Sequence, residues 1–328
     1  MKSNFSRKSI ICSLALAASA ALLPLAQAQT LPAKSVGVTA IVDHPALDAV
    51  RKGVEDELKA QGWQTGKNLK YQYQSAQGNA ATAGQIVRKF IGDKVDAIVA
   101  IATPSAQAAA AATTSVPIVF SAVTDPVAAK LVKDMKVPAG NVTGVSDRLP
   151  LAPQIDLMLK VVPAAKRVGI VYSPGEVNST ILIKELKAAL AQRGMTLVSA
   201  AAPRTVDVPA ATKSLVGKVD LIYSSTDNNV VSAYESMVRV AAEAKLPMIA
   251  ADTSSIKRGA VAALGMNYYD MGRQTGKMVV RILKGEKPGS IAVEEGHVTM
   301  LELNAKAARE QGATLSATLL KEGKIIVP

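Results

Sequence analysis

Apolar segments rich in Val and Ile alternate along this chain with segments of helical spacing, and this alternation restricts the possible folds more than any other feature. In the first half, the pattern predicts strands at 36–42, 69–74, 95–102 and 117–123, and helices at 47–61, 80–91 and 104–113. Strands separated by helices of about 10–15 residues form βαβ units with parallel strands. Asp96–Ile101 is apolar at nearly every position, which is typical of a strand that helices cover on both faces.

The same alternation starts again after Leu149-Pro150. In this second half, the pattern predicts helices at 152–161, 178–193, 209–216 and 230–245, and strands at 167–172, 196–201, 221–223 and 247–251. The sequence therefore predicts an α/β fold of two doubly wound parallel-sheet lobes of similar size. Hydrophobic residues make up 49% of the chain, which is enough for two substantial cores.

The N-terminal 28 residues have the pattern of a bacterial secretory signal. Lys2, Arg7 and Lys8 precede an apolar run from Ile10 to Leu25, and Ala26-Gln27-Ala28 is a small-x-small cleavage site. The apolar run is too short for a comfortable membrane span. We therefore expect cleavage after Ala28 and a soluble, periplasmic mature protein.

Charge and composition narrow the possible partners. The formal net charge is +12, but the Lys and Arg residues are scattered singly and aromatic residues are only 3% of the chain. A nucleic-acid site needs clustered basic residues, often interleaved with aromatic ones, so we expect no nucleic-acid partner. The only cysteine, Cys12, lies in the secretory signal, so no disulfide is expected in the mature protein.

Three loops of the first half place a polar residue before a proline, each after a predicted strand. They are His44-Pro45, Thr103-Pro104 and Asp125-Pro126. Thr103 and Asp125 are candidate N-caps with proline at the first helical position, and ordinary capping would explain each loop alone. Ligands of open α/β sheets bind at the carboxyl ends of the strands, where helix N-termini can hold an anion such as a carboxylate.

The loops that follow strands in the second half are rich in hydroxyl, amide and carboxylate groups. They are the segments 172–179, 224–229 and 252–255, with Tyr172 and Tyr223 beside them. Two polar sheet edges that face each other would form a cleft between the lobes, which is a common place for a small ligand.

The sequence offers little support for an enzyme, a metal or a cofactor. Its only histidines, His44 and His297, are far apart, and we interpret 294–297 as a surface turn. No Gly-x-Ser-x-Gly segment occurs, and Gly272–Met278 has neither the spacing nor the Ser or Thr of a phosphate loop, so we interpret it as the opening of a helix. We expect no enzymatic activity, no metal and no cofactor.

Several segments together resemble one family of transport proteins. They are 117–126 (PIVFSAVTDP), 140–147 (GNVTGVSD), 172–179 (YSPGEVNS), 226–233 (TDNNVVSA), 257–260 (KRGA) and 265–276 (GMNYYDMGRQTG). The chain resembles ABC-transporter substrate-binding proteins of the tryptophan- and tyrosine-uptake type over about residues 33–328. The likeness implies a type 1 periplasmic-binding-protein fold, in which three hinge crossings join the two lobes.

The resemblance also implies how the chain is divided between the lobes. The N-terminal lobe would comprise 31–147 and 269–290, including a helix at 269–287 that returns to it. The C-terminal lobe would comprise 148–268 and 291–328. In such proteins the lobes close over a small ligand and deliver it to an ABC permease in the inner membrane. A monomer suits such a carrier.

The family precedent points to an aromatic or branched amino acid. Its carboxylate would lie at the helix starts of the first lobe, near Thr103, Ser105, Ala106, Ser121 and Thr124. Candidate acceptors for its ammonium group are Asp227, Asp252 and Glu176. Candidate contacts around its side chain are His44, Tyr172, Tyr223 and Tyr268, while Asn178, Thr226, Asn228 and Asn267 are further candidate contacts. Packing of the tyrosines, capping by His44 and turn formation by the asparagines are the alternatives.

Three other functions remain open at this stage. A nucleoside or another small heterocycle is the second choice of ligand for the same fold. A secreted α/β hydrolase is less favoured, because no nucleophile and base are evident. The partner can also be a signalling receptor in the membrane instead of a permease.

Overall fold

The computed structural model describes residues 31–297 and 299–328, so the predicted secretory signal and its cleavage site lie outside the described residues. The first half contains β1 (Lys34–Ala40), α1 (Pro45–Ala60), β2 (Leu69–Ser75), α2 (Ala80–Gly92), β3 (Ala97–Ile101), α3 (Thr103–Ala112), β4 (Ile118–Val123) and β5 (Val142–Ser146). None of the helices described has the length and apolar character that a membrane crossing requires.

The second half repeats the alternation and then adds a tail. It contains α4 (Leu151–Val161), β6 (Arg167–Tyr172), α5 (Val177–Ala191), β7 (Thr196–Ala201), α6 (Val208–Leu215), β8 (Leu221–Ser224), α7 (Asn228–Ser232), α8 (Tyr234–Glu243), β9 (Met248–Ala250) and β10 (Ala262–Met266). The tail contains α9 (Tyr268–Leu283), β11 (Glu294–Glu295), β12 (Thr299–Asn304), α10 (Ala305–Glu310), α11 (Ala317–Glu322) and β13 (Lys324–Val327).

The strands form two sheets, one in each lobe. The first has the order β11-β5-β4-β3-β1-β2 and the second has the order β13-β12-β10-β9-β8-β6-β7. All pairs are parallel except β10 with β12, which are antiparallel. The predicted pair of parallel α/β lobes is therefore confirmed, with one antiparallel pair where the chain returns to the second sheet.

Burial of the strands follows their place in each sheet. The central strands β3, β4 and β5 are buried at every residue, because α1, α2, α3 and α9 pack over the sheet. The edge strands β2 and β7 are mostly half-buried or exposed. The continuous apolar runs in the sequence are therefore those of the fully covered central strands.

The chain passes between the sheets three times: after β5, between β10 and α9, and between β11 and β12. The last passage differs from the boundary expected at 290/291, because Glu294 and Glu295 pair with Val145 and Ser146 in the first sheet. The same pairing makes 294–295 a short strand, whereas the sequence predicted a surface turn there.

The glycines that superficially suggested a phosphate loop permit two helices of the first lobe to approach closely. A Cβ atom on Gly272 of α9 would lie 2.2 Å from the Val50 carbonyl oxygen of α1, and one on Gly276 would lie 2.5 Å from Glu57 Cβ. Any larger residue there would force α1 and α9 apart. The helix itself begins at Tyr268 and ends at Leu283, four residues before the expected end.

The predicted helix at 230–245 is two helices, α7 and α8. The break is at Ala233, whose backbone has φ −104° and ψ 22° and whose N–H bonds to the Val230 carbonyl three residues earlier. The first helix also begins earlier than expected, because the side chain of Asp227 accepts a hydrogen bond from the Val230 N–H and caps it.

Candidate functional site

A cavity lies between the carboxyl ends of the two sheets, and we call it the central cavity. Counted together with the part that is open to solvent, it comprises about 350 Å³. The first lobe contributes His44, Ala46, Leu47, Ala102, Thr103, Ala122 and Thr124, and the second contributes Asn178, Thr226, Asn228, Val231 and Asp252. Asp147 and Tyr268, from the first two crossings, complete the lining.

A second cavity, which we call the side cavity, adjoins the first on the side of the first crossing. Counted together with the part that is open to solvent, it comprises about 440 Å³, and it shares Thr124, Asp147 and Thr226 with the central cavity. Its other lining residues are Arg148, Leu149, Leu151, Ile181, Leu182, Glu185, Tyr223 and Ala251. The two cavities therefore offer a polar centre with a largely apolar extension.

The first-lobe wall of the central cavity is formed by two helix starts without side-chain caps. α1 begins after His44 and α3 begins after Ala102, and neither residue makes a capping hydrogen bond through its side chain. The expectation that Thr103 caps α3 is wrong, because Thr103 is already the first helical residue. Uncapped N–H groups and the positive ends of the helix dipoles favour an anion at this wall.

Asp125, the other predicted N-cap, caps a turn instead of a helix. Its carboxylate accepts a hydrogen bond from the Ala128 N–H at 2.9 Å and pairs with Arg148. The chain at 126–130 forms turns, and Asp125 does not line the central cavity.

Two alanines of this wall have left-handed backbone conformations that are uncommon for non-glycine residues. Ala102, after β3, has φ 73° and ψ 156°, and Ala122, near the end of β4, has φ 55°. Such strain costs on the order of 1–3 kcal/mol per residue and is concentrated at functional sites. Both alanines line the central cavity, so two of the positive-φ non-glycine residues of the described chain lie at this wall.

A hydrogen bond joins the first two crossings at the base of the cavity. The Tyr268 hydroxyl donates to Asp147 Oδ2 at 2.9 Å, and the Thr124 hydroxyl donates to Asp147 Oδ1 at 3.0 Å. Burial raises the pKa of the Asp147 carboxyl above its ordinary value. Asp147 lies in one of the segments that resemble the family, but it was not among the predicted site residues.

Asp252 forms the acidic part of the second-lobe wall. Its carboxylate accepts hydrogen bonds from the Ser255 N–H at 3.1 Å, the Ser255 hydroxyl at 2.5 Å and the Ser254 hydroxyl. Since an ionised carboxylate has about four acceptor positions, one position on Oδ2 remains open among the described contacts. Asp252 can therefore accept a further donor from a ligand.

His44 faces this wall from the first lobe. Burial, opposed by the charge of Asp252, lowers the pKa of His44 to about 4, so the ring is neutral at neutral pH. Its Nδ1 and the Oδ1 of Asn178 are buried polar atoms with no hydrogen-bond partner among the described residues. Both residues line the central cavity, and these unsatisfied atoms are available to a ligand.

Asp227, a predicted ligand acceptor, lies behind the wall and not in it. It accepts from the Ser173 N–H at 2.6 Å, the Ser173 hydroxyl at 2.8 Å, the Ser179 hydroxyl at 2.6 Å and the Val230 N–H at 3.1 Å. These four bonds use all its acceptor positions. Asp227 therefore connects β6, α5 and α7, and the structure does not support its predicted role.

Glu176 likewise acts on the cavity through its neighbours. Its Oε2 accepts from the Asn228 side chain at 2.7 Å, the Asn228 N–H at 3.2 Å and the Asn178 side chain at 3.1 Å. Burial, with a further contribution from Asp227, raises the pKa of Glu176 to about 7. Glu176 does not line the cavity but orients two amides that do.

The remaining predicted site residues lie elsewhere. Ser105 and Ala106 are buried in α3, and Ser121 accepts a hydrogen bond from the Thr275 hydroxyl inside the first lobe. Tyr223 lines only the side cavity, Tyr172 lies half-buried at the end of β6, and Asn267 caps α9 outside the cleft. The structure does bring together His44, Thr103, Thr124, Asn178, Thr226, Asn228, Asp252 and Tyr268.

The cleft has the polar residues of a binding site, and within the described ranges no group of three or more His, Cys, Asp or Glu side chains could hold a metal ion. Residues 35–327 match the family described as ABC transporter substrate binding protein. The chain belongs to this family. Substrate-binding proteins of ABC transporters are typically extracytoplasmic. Solved structures less than 20% identical share the type 1 periplasmic-binding-protein fold.

Three relatives of this substrate-binding protein carry informative descriptions. A tyrosine-binding protein from Clostridioides difficile is 39% identical over 83% of this chain and 79% of its own. An ABC domain from Streptococcus pneumoniae in complex with L-Trp is 34% identical over 90% and 100% of the two chains, with a TM-score of 0.86. A ligand-free, open substrate-binding protein from Clostridium difficile is 37% identical over 90% and 99%, with a TM-score of 0.68.

Proposed function

We propose that this protein captures a free aromatic α-amino acid between its lobes and delivers it to an ABC permease. The observation that carries the proposal is the opposite character of the two walls of the central cavity. The first-lobe wall consists of uncapped helix starts, and the second-lobe wall contains the carboxylate of Asp252. An α-amino acid is a zwitterion, and its two charged groups match these two walls.

The carboxylate of the ligand would lie against the starts of α1 and α3, where backbone N–H groups and helix dipoles favour negative charge. The ammonium group would donate to the open position on Asp252, with Asp147 and Asn178 Oδ1 as further acceptors. An ammonium group has three donors, so these three acceptors would satisfy it. Its positive charge would also lower the raised pKa of Asp147 toward the ordinary value.

Comparison of the relatives supports lobe closure as the mechanism. The ligand-free, open structure is 37% identical to this chain and the L-Trp complex is 34% identical. Even so, the open structure superposes on this chain with a TM-score of only 0.68, against 0.86 for the complex. Residues contributed by both lobes surround the same cavity here, as expected of a closed arrangement. A ligand that contacts both lobes would stabilise this arrangement by its differential affinity for it.

The remaining parts of the proposal follow from the family and the sequence. We place the mature protein in the periplasm after cleavage at Ala28, as a monomer that carries its ligand without altering it. The names of the relatives favour tyrosine or tryptophan as the ligand. A micromolar dissociation constant, about −8 kcal/mol, would serve such a carrier.

Thermal-shift and calorimetric titrations test the proposal directly. L-Tyrosine and L-tryptophan are compared with tyramine, which lacks the carboxylate, with 3-(4-hydroxyphenyl)propionate, which lacks the ammonium group, and with adenosine. Only the complete amino acids are expected to raise Tm, by mass action on the folded state. Equal binding of tyramine, or selective binding of adenosine, would contradict the proposal.

Asp252→Asn tests the assignment of the ammonium acceptor. The variant retains an oxygen that can cap the following turn but loses the charge. We expect the Kd for L-tyrosine to rise about 10- to 100-fold, the range for a hydrogen bond to a charged group. Asp156→Asn, on the surface of the second lobe, is the matched control and should leave Kd unchanged.

A further inference from the structure

One face of α5 runs from the central cavity into the side cavity. Asn178 lines the first, while Ile181, Leu182 and Glu185 line the second. The spacing i, i+3, i+4 and i+7 places these four side chains on one side of the helix. A ligand whose ammonium group contacts Asn178 therefore has the apolar part of this face as its direct continuation.

The side cavity has the walls of an apolar subsite. Leu149 and Leu151 come from the first crossing and the start of α4, Ile181 and Leu182 from α5, and Tyr223 from β8. Thr124, Asp147 and Thr226 line both cavities, so the polar centre and this extension adjoin at these three residues. A molecule with a polar head and a flat apolar side chain can occupy both.

Arg148 adds a cation to this cavity, whose lining also includes the carboxylates of Asp147 and Glu185. Its guanidinium donates to Asp125 Oδ2 at 2.5 Å and to Glu185 Oε1 at 2.7 Å, so it connects a first-lobe loop to α5 of the second lobe. These carboxylates fix its position at the cavity lining. A fixed guanidinium attracts the face of an aromatic ring and offers nothing equivalent to an aliphatic side chain.

We propose that the side cavity holds the aromatic ring of the ligand and that Arg148 selects aromatic over branched aliphatic amino acids. This inference rests on the proposed function, since it requires an amino acid in the central cavity. It also adds a determinant that the sequence did not reveal, because the family resemblance left aromatic and branched ligands equally open.

The first test replaces the cation but retains the apolar stem of the residue. Kd values for L-phenylalanine and L-leucine are measured on the wild type and on Arg148→Met. We expect the preference for phenylalanine over leucine to fall about three- to tenfold, as for the loss of one cation–π contact. Arg193→Met is the matched control, because Arg193 also pairs with an acid and its side chain is 42% exposed against 41% for Arg148.

The ratio of the Kd values for leucine and phenylalanine is the decisive quantity. Loss of the Arg148 guanidinium also removes its ion pairs with Asp125 and Glu185, which connect the two lobes, and so weakens closure. Weaker closure would reduce affinity for both ligands by the same factor. An equal change for phenylalanine and leucine, or no change, would therefore overturn the role of Arg148. A wild-type protein that binds neither amino acid would instead show that the proposed function has failed.

The second test fills the side cavity. Ile181→Trp introduces a ring where we place that of the ligand, and Ile181 is only half-buried. We expect at least a tenfold rise in Kd for L-tyrosine with no loss of Tm in the ligand-free protein. Lys184→Trp, at an exposed position of the same helix that lines neither cavity, is the control. Unchanged tyrosine affinity in Ile181→Trp would place the ring elsewhere.

Discussion

The two walls of the central cavity are built in different ways. The first-lobe wall presents backbone: two uncapped helix starts and two alanines with left-handed φ angles. The second-lobe wall presents side chains supported by carboxylates, with all four acceptor positions of Asp227 occupied and Glu176 holding two asparagines. The first-lobe wall therefore presents backbone groups without side-chain caps together with strain, whereas the carboxylates of Asp227 and Glu176 behind the second-lobe wall already hold their partners.

This difference indicates a division of labour between the lobes. Unsatisfied N–H groups at the first-lobe wall gain a partner only when an anion binds, so substitutions there should act mainly on affinity and strain. The buried carboxylates behind the second-lobe wall already hold their partners, so substitutions there should act mainly on stability. Stability measurements on variants of each wall test this difference.

The largest expected effect comes from Asp227→Ala. The change leaves the Ser173 and Val230 N–H groups and two serine hydroxyls without their acceptor inside the second lobe. We expect the free energy of unfolding to fall by about 3–5 kcal/mol, measured by urea denaturation. Asp227→Asn, which can keep part of the network, should lose less. A loss below about 1 kcal/mol for the alanine variant would show that the network is not the support we infer.

The next effect concerns the pH dependence of stability through Glu176. Its pKa is about 7 in the folded protein against 4.5 ordinarily, so the folded state binds more protons between these values. Stability from this group is therefore complete below about pH 4.5 and is lost as the pH rises to about 7. Glu176→Gln removes this loss, so we expect its stability relative to the wild type to improve by on the order of 2–3 kcal/mol between pH 4 and pH 8.

Urea denaturation across that pH range measures the difference between variant and wild type. This difference removes the contributions to stability of other buried groups, including His44, that titrate in the same pH range in both proteins. Glu243→Gln, on the exposed surface of α8, controls for the loss of one negative charge. A constant difference between Glu176→Gln and the wild type at every pH would contradict the buried, proton-binding role of Glu176.

The smallest effect is expected at the first-lobe wall. Ala102→Gly relieves a conformation with φ 73° and ψ 156° that only glycine adopts without strain. After the entropic cost of glycine, we expect a gain of about 1 kcal/mol in the free energy of unfolding. Ala188→Gly, at an exposed position within α5, should instead lose about 1 kcal/mol. Equal losses in both variants would mean that Ala102 is not strained.

Local sequence pattern was sufficient for the fold wherever strands are covered on both faces or helices are long. The bounds of β6, and even those of the edge strand β7, agree with the prediction at every residue. Glu294 and Glu295 could not be recognised as a strand, since two charged residues have no apolar period. Their pairing with Val145 and Ser146 depends on the topology of the tail.

From the sequence, only the site residues that follow the ends of strands could be predicted. Thr103, Thr226 and Asp252 follow strands directly, so the rule for open sheets located them. Asp227 obeys the same rule, yet Ser173, Ser179 and the Val230 N–H together occupy all its acceptor positions. Asp147 was missed because its importance comes from contact with Tyr268, 121 residues away. The face of α5 formed by 178, 181, 182 and 185 did carry a sequence signal, in its helical spacing.

A crystal structure of the protein with L-tyrosine would show which lobe holds which charged group of the ligand. We predict the ligand carboxylate at the starts of α1 and α3, the ammonium group on Asp252, and the ring in the side cavity beside Arg148. A ligand in the reverse orientation, with its ammonium group at the helix starts, or a ligand bound outside the cleft, would contradict the account.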